Sequence, residues 1–505
     1  MWKSKKLLIF PAIYLLMLYL PILGAGDHVN MTDLSFNLRH VGLLANSMKL
    51  ALLSAVIATA LGFFAALYIK TGFMADKWYR YFFILFLPIP FYTYALSWIY
   101  FIRMFSIPFP ALLKYSLKGF GACLYVEVLE YFPLALLLAL IGMESISASD
   151  IEAASVYKRL VIVVRDIVLK EIAPYLYAAT GLIVILSVTD FSVPSMFQYN
   201  TYTLDLFSVY GRTGNVTLVC LKTLPVILLM LVPLSWLLGG MRKFGTVKSG
   251  RLKMGIHLNG WMRVVSGLAF AVCIIQILIP VITFIVTTGS VRVFADAFSS
   301  VKEELLVSIT VSLLAAIFGT IIAFFPAVMI ADSDNGVLGT VSMLPVAIPG
   351  AIGAMGLLKV VNRSFLHVLG DSVILSAIGC GIKIAPFMVL IICIYRRYTD
   401  RHLTEIAWIL ADKRKKAFLM ECRLILPGLM IAFMLAFFMT YAEEGIMLVL
   451  MAPGLEAITV KIYNYLHYGA SEYVSAFCLI SVGVIAVIEL TTLAIYRLIV
   501  VGMRK

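Results

Sequence analysis

Apolar segments of about 20 residues recur along the whole of this chain, the length a helix needs to cross the hydrocarbon of a bilayer. Within lipid no water reaches the backbone, so each segment must satisfy its own N–H and C=O groups, as a helix does. Hydrophobic residues make up 62% of the 505 and charged residues 13%, where soluble domains hold about half and a quarter. An all-α polytopic membrane protein is therefore expected. Twelve spans are expected, at 7–24, 46–70, 80–103, 118–142, 175–196 and 215–239, then at 264–288, 305–330, 338–360, 371–395, 428–450 and 472–498. The first follows Lys3, Lys5 and Lys6 and ends in Leu-Gly-Ala-Gly, a pattern shared with cleaved signals. A matching stretch recurs internally from 264, so the first is read as a retained span.

The net charge of +13 has a topological explanation, because Lys and Arg concentrate in the cytoplasmic loops of membrane proteins. No nucleic-acid partner is expected. The seven cysteines are scattered, mostly within spans, with no Cys-x-x-Cys, and the six histidines are equally dispersed. Neither a disulfide framework nor a metal site follows from such spacing.

The chain carries an internal repeat. A polar, basic island from Asp150 to Pro174 lies between two apolar segments, and residues 403 to 427 form a second. Glu152 matches Glu405, Ala154 matches Ala407, Pro133 matches Pro386 and Pro174 matches Pro427, all at an offset of 253. Gly62 and Gly319, like Pro88 and Pro345, match at 257. The four-residue change falls between the third and fourth spans, where a loop absorbs an insertion. One duplication with one loop indel explains the register.

With both termini inside, about 27 of the 40 Lys and Arg fall on the cytoplasmic side, including both islands. The first island opens Ser149-Asp150-Ile151-Glu152, which fits a capping box with Ser149 as N-cap. A Pro closes each island. Taken singly, each Glu reads equally well as a simple helix cap. Two copies on one side, each flanked by basic residues, favour a docking element.

These islands resemble the Glu-Ala-Ala loops in the membrane subunits of binding-protein-dependent ABC importers. The resemblance implies a type I importer permease fold of two homologous six-helix halves. It makes residues 1–240 a first permease repeat with a coupling loop at about 143–174, residues 241–262 a cytoplasmic linker, and residues 263–505 a second repeat with a coupling loop at about 396–427. It also implies that Glu152, Ala153 and Ala154, with Glu405 and Ala407, contact ATPase subunits. Ile406 stands in place of the middle Ala, and Lys158 and Ala411 stand where the family has Gly. Without Gly, a turn there does not easily use a left-handed conformation.

Two such units in one chain narrow the resemblance. Residues 441–469, with Tyr-Ala-Glu-Glu-Gly-Ile, and residues 189–207, with Thr-Asp-Phe-Ser-Val-Pro, are similar to the fused permeases of ferric-iron importers. Thiamine permeases share the fused layout. The implied partners are two copies of an ABC ATPase, an external or periplasmic substrate-binding protein and the lipid bilayer. The implied location is a bacterial or archaeal cytoplasmic (inner) membrane. No Gly-x-x-x-x-Gly-Lys-Ser/Thr occurs, so the chain supplies no phosphate-binding loop, and the permease reading implies no catalytic residue. ATP and magnesium are expected on the partner subunits, and the chain itself is expected to hold no cofactor.

Ionisable groups within a membrane are costly and usually functional. Asp190 and Glu443 are equivalent at the 253 offset, and Glu444 follows. They are candidates for the substrate route, against the plainer reading that they cap helix ends in headgroup water. Pro88, Pro90, Pro345 and Pro349, with Gly350, are expected to kink the third and ninth spans. The alternative class is a secondary transporter of major-facilitator type, which also has twelve spans in two parallel repeats. Its signature is approached at Gly72–Lys77, but Tyr79 occupies a glycine position and residues 331–336 contain no basic residue.

Overall fold

The computed structural model describes residues 9–23, 26–71, 90–106, 118–243, 258–333, 336–363, 365–399, 406, 409–411, 414–469 and 471–504. Among them all regular structure is helical, with no strand. The helices of the first 243 residues are α1 (Ile9–Leu23), α2 (Leu38–Thr71), α3 (Phe91–Ser106), α4 (Phe120–Glu144) and α5 (Ala148–Tyr157), followed by α6 (Leu160–Thr189), α7 (Ser192–Met196), α8 (Tyr202–Thr213), α9 (Val216–Lys222) and α10 (Leu224–Arg242). The remainder forms α11 (Gly260–Thr288), α12 (Val291–Ser300), α13 (Lys302–Ser333), α14 (Gly336–Met343) and α15 (Gly350–Asn362), then α16 (Val373–Tyr398), α17 (Arg414–Tyr441), α18 (Gly445–Leu450), α19 (Ile458–His467) and α20 (Ser471–Arg504).

Nine helices among the described residues are long and apolar enough to cross a membrane, ten if a bent pair counts as one. The chain is thus of multi-pass membrane character. The described residues do not supply twelve. The described part of α1 has 15 residues, shorter than a span, and residues 1–8 and 24–25 beside it lie outside the described ones. The third expected span is seen only as α3, since residues 72–89, with Pro88, lie outside the described ones. The ninth is the bent pair, Val337–Ala347 and Gly350–Asn362, meeting at 93°. Pro345 lies in the last turn before the break and Pro349 within it, each a missing N–H donor.

Three boundaries differ from expectation. The fifth span begins at Leu160 and ends at Thr189, because Asp190 is extended and caps a separate short helix. The sixth is interrupted at Thr223, so that only Leu224–Arg242 is long enough to cross. The eleventh runs from Arg414 to Tyr441. The prolines taken to close the islands, Pro174 and Pro427, instead lie inside α6 and α17. Helices in lipid tolerate them because neighbours and local π-type turns take up the freed groups. α6 has such a π-turn at Val164–Val168, six residues before Pro174.

The chain divides into two compact units. One comprises 35–211 with 225–289, and the other 1–34, 212–224 and 290–505. These units differ from the segments 1–240 and 263–505 read from the sequence, because first helices are exchanged. In the 35–211 unit, α11 packs on α2 and α3, with Phe270 stacked on Tyr68 at 5.1 Å. In the other, α1 packs on α13 and α15, and the Tyr19 hydroxyl donates to the Val341 carbonyl at 2.8 Å. Gly356 of α15 admits the backbone of Pro21, since a Cβ there would lie 1.8 Å from the Pro21 oxygen. Helices in lipid gain stability from this close packing rather than from a hydrophobic drive.

Several contacts recur in the two units. α2 packs on α4 as α13 packs on α16. Gly62 lies against Ala135 and Leu136, and Gly319 against Met388. The Ser47 hydroxyl accepts from the Tyr202 amide at 3.0 Å, and the Ser308 hydroxyl from the Ile458 amide at 2.9 Å.

Candidate functional site

α5 is a ten-residue helix seated on its unit by two residues. Ile151 is fully buried, and Ala154 packs beside it against a core that includes Phe132, Met143 and Val168. The opposite face is open. Glu152 and Ala153 are exposed, Val156 is 74% exposed and Tyr157 90%. The capping box does not form. The helix starts one residue after Ser147, whose hydroxyl meets that of Ser149 at 2.6 Å, and no side chain caps the first turn. With Ser149 already inside the helix it cannot act as N-cap, and Asp150 is left to complement the helix dipole.

Lys158 ends α5 in an extended conformation, φ −119° and ψ 147°. The turn therefore makes no demand for the left-handed backbone that Gly would provide. The Lys158 ammonium lies 3.9 Å from Asp166.

Glu405 and Ala407 lie outside the described residues, and Ala411 is partly buried. Between them, Ile406 is exposed, Ile409 is 80% exposed and Leu410 67%. At the 253 offset these three match Ala153, Val156 and Tyr157. The i, i+3, i+4 spacing puts each set on one helical face. Exposed apolar faces within basic, polar islands are an arrangement that attracts a protein partner.

Asp190 and Glu444 are buried, and Glu443 is partly buried. Asp190 is buried, and its two oxygens accept the Ser192 and Val193 amides at 2.9 and 3.1 Å, capping α7. Glu443 does the same for α18, accepting the Ile446 amide at 3.3 Å, while its other oxygen accepts from the Lys383 ammonium at 2.6 Å. Glu444 is the buried residue that precedes α18. Helix capping thus describes Asp190 and Glu443, and for Asp190 burial adds an electrostatic cost that a surface cap does not carry.

Ionisable residues within spans that were passed over in the sequence include Glu127 and Glu130 in α4 and Lys383 in α16. The signal was available, since a charge inside an apolar span is itself a mark of function. Glu127 is fully buried, and one of its oxygens accepts from the Ser187 hydroxyl of α6 at 2.6 Å. Lys383 borders a cleft whose walls include Pro21, Pro349, Gly350, Gly353 and Ile446. A Cβ on Gly350 would meet the Lys383 ammonium at 2.7 Å, so glycine leaves room for the Lys383–Glu443 pair.

In the same unit, a clasp joins three distant segments. Asp27 accepts from the Lys359 ammonium at 2.5 Å, from Arg363 at 3.3 Å and from the Val216 amide at 2.9 Å. Asn215 completes it by donating to the His28 carbonyl at 2.6 Å. Burial pushes the Asp27 carboxyl up, but the Lys359 hydrogen bond and charge, with the Val216 amide, outweigh it and hold the carboxyl below its usual value. A depressed carboxyl stabilises the fold above its unfolded value and loses that contribution as the pH falls through the folded one. Stability should therefore fall with acidification below about pH 4. Asp27→Asn should remove that acid dependence and cost about 1–2 kcal/mol at neutral pH, measured by thermal unfolding in detergent across pH 3–7.

No protein-family model, curated protein or solved structure matches the chain.

Proposed function

We propose that this chain is the fused membrane permease of an ABC importer, with two six-span halves, driven from the cytoplasm by two copies of a separate ATPase. The observation that carries the reading is the pair of exposed apolar faces at equivalent positions, Ala153, Val156 and Tyr157 in one island and Ile406, Ile409 and Leu410 in the other. A solvated charged loop has no physical reason to repeat an exposed Val-Tyr or Ile-Leu pair. A cleft on a partner gives one, because apolar and aromatic anchors supply most of the binding energy at interfaces.

On this reading an external binding protein delivers the substrate. Closure of the ATPases moves both islands, and the halves rock between inward-open and outward-open states. Ferric iron is the proposed substrate, supported by the resemblance of residues 189–207 and 441–469 to ferric-iron permeases; thiamine is the alternative.

Purification of the tagged full chain from native membranes should bring down an ATPase. Vesicles should show ATP-dependent uptake of radioactive iron that survives a proton uncoupler. An uncoupler-sensitive uptake with no ATPase bound would instead identify a secondary transporter. Uptake of radioactive thiamine in place of iron would correct the substrate alone.

A further inference from the structure

The ten residues of α12, Val291–Ser300, connect two helices long and apolar enough to cross a membrane. The chain leaves α11 at Thr288 and enters α13 at Lys302. No charged residue occurs from Val264 to Val291 or from Leu305 to Ala331, so apolar sequence runs to within a few residues of α12 at both ends. A ten-residue helix is about 15 Å long. With both its ends tied to the same face of the bilayer, it lies along that face instead of standing out from it.

The sequence divides the surface of α12 into three strips. At about 100° per residue, Val293 and Ala297 share one strip and Val291, Phe294 and Phe298 the next, while Arg292, Asp296 and Ser299 lie opposite that second strip. α12 packs on α13 and α20, with Ala297 fully buried and Val293 partly buried. The polar strip is exposed. The apolar strip is exposed as well, Val291 at 85% and Phe298 at 45%. Both ends of the helix are held. The Ser290 hydroxyl accepts the Val293 amide at 3.3 Å as N-cap. At the other end the Ser300 carbonyl accepts from the Lys461 ammonium at 2.6 Å, and Lys461 also pairs with Glu304 of α13. A cation at the C-terminus complements the helix dipole. Held in this way, α12 cannot roll to tuck the apolar strip inward.

A helix lying along a bilayer face has water on one side and the acyl boundary on the other, which matches the opposed polar and apolar strips of α12. Phenylalanine suits that level, and a lysine stem covers apolar surface while its ammonium reaches headgroup water. Lys302 is placed to do so, with its ammonium 5.9 Å from the centre of the Phe298 ring. Arg292 and Lys302 are offset by Asp296, Glu303 and Glu304, so this stretch carries no excess of positive charge to select anionic lipid. We infer that α12 is an interfacial anchor that seats Val291, Phe294 and Phe298 in the acyl boundary of a zwitterionic bilayer.

Spin labelling tests this with neither substrate nor ATPase, so it stands or falls apart from the importer reading. Phe294→Cys, Phe298→Cys, Asp296→Cys and Ser299→Cys would each be labelled in the full chain, in nanodiscs of phosphatidylcholine. The wild-type chain, whose seven cysteines are buried or partly buried, gives the blank. All four positions are exposed, so each variant should unfold within a few degrees of the wild type. Oxygen partitions into lipid, whereas a neutral nickel chelate stays in water. The ratio of oxygen to nickel collisions is expected to be at least about fivefold higher at 294 and 298 than at 296 and 299. Equal ratios at all four, with nickel reaching each, would put the whole helix in water and overturn the anchor. Labels at 294 and 298 that neither reagent reaches would mean that protein covers the strip, and would overturn it equally.

Discussion

Replacing Val156 and Tyr157 together by Asp is expected to release the proposed ATPase from the purified chain, with capture falling at least about tenfold, or 1.4 kcal/mol. The yield and melting temperature of the chain itself should not change. Both side chains are mostly in solvent, so their removal exposes no core and leaves no cavity. Two aspartates on a docking face cost more than the lost apolar contact, because each brings a charge that the partner must desolvate. Ile409→Asp with Leu410→Asp should act in the same direction on the other island. The contrasting variant is Ile151→Asp. Ile151 is fully buried under α5, so a charge there should destabilise the unit before any docking can be assayed. Undiminished capture with all four exposed residues changed would remove the apolar faces from the interface, and with them the observation on which the importer reading rests.

Sequence patterns carried some of this and not the rest, for reasons that particular residues make plain. The long spans were legible because length and apolarity are set locally, as in α2, α4 and α16. The break at Pro345–Pro349 was legible because a missing N–H donor acts on its own helix. The exchange of α1 and α11 between units was not, since no feature of residues 9–23 says which bundle they will meet. That choice is made at Gly356, where a missing Cβ admits Pro21 from more than three hundred residues away.

Boundaries failed where a side chain can satisfy a backbone donor in more than one register. Ser147 and Ser149 compete at the start of α5, and the pattern that favoured Ser149 ignored its neighbour. At Lys158 the missing glycine pointed to an altered turn, and the chain adopted an extended residue that any side chain accepts. Of the route candidates, Asp190 proved to be a buried cap and Glu443 a partly buried one. Glu127, Glu130 and Lys383 were visible as ionisable residues inside spans, but only a structure shows that Lys383 meets Glu443 and that the Ser187 hydroxyl donates to Glu127.

Two glycines in the 35–211 unit give the sharpest stability expectation. Gly181 follows Pro174 by seven residues on α6, and Gly240 follows Pro233 by seven on α10. Seven residues are about two turns, so each Pro and Gly share a face. The two helices meet through these faces: a Cβ on Gly181 would lie 2.4 Å from the Pro233 carbonyl oxygen, and one on Gly240 2.3 Å from that of Pro174. Backbone atoms cannot rotate away as a side chain would, so any substituent must push the helices apart. Gly181→Ala and Gly240→Ala should each cost about 1–3 kcal/mol, the range of overpacking in tight cores. Gly239→Ala is the control, since nothing lies within 4 Å of its Cβ position. The double variant should cost less than the sum, because a crossing already opened by one methyl has room for the second. Unfolding in mild detergent would read all four, and full additivity, or two silent alanines, would mean that α6 and α10 do not approach as closely as their glycines permit.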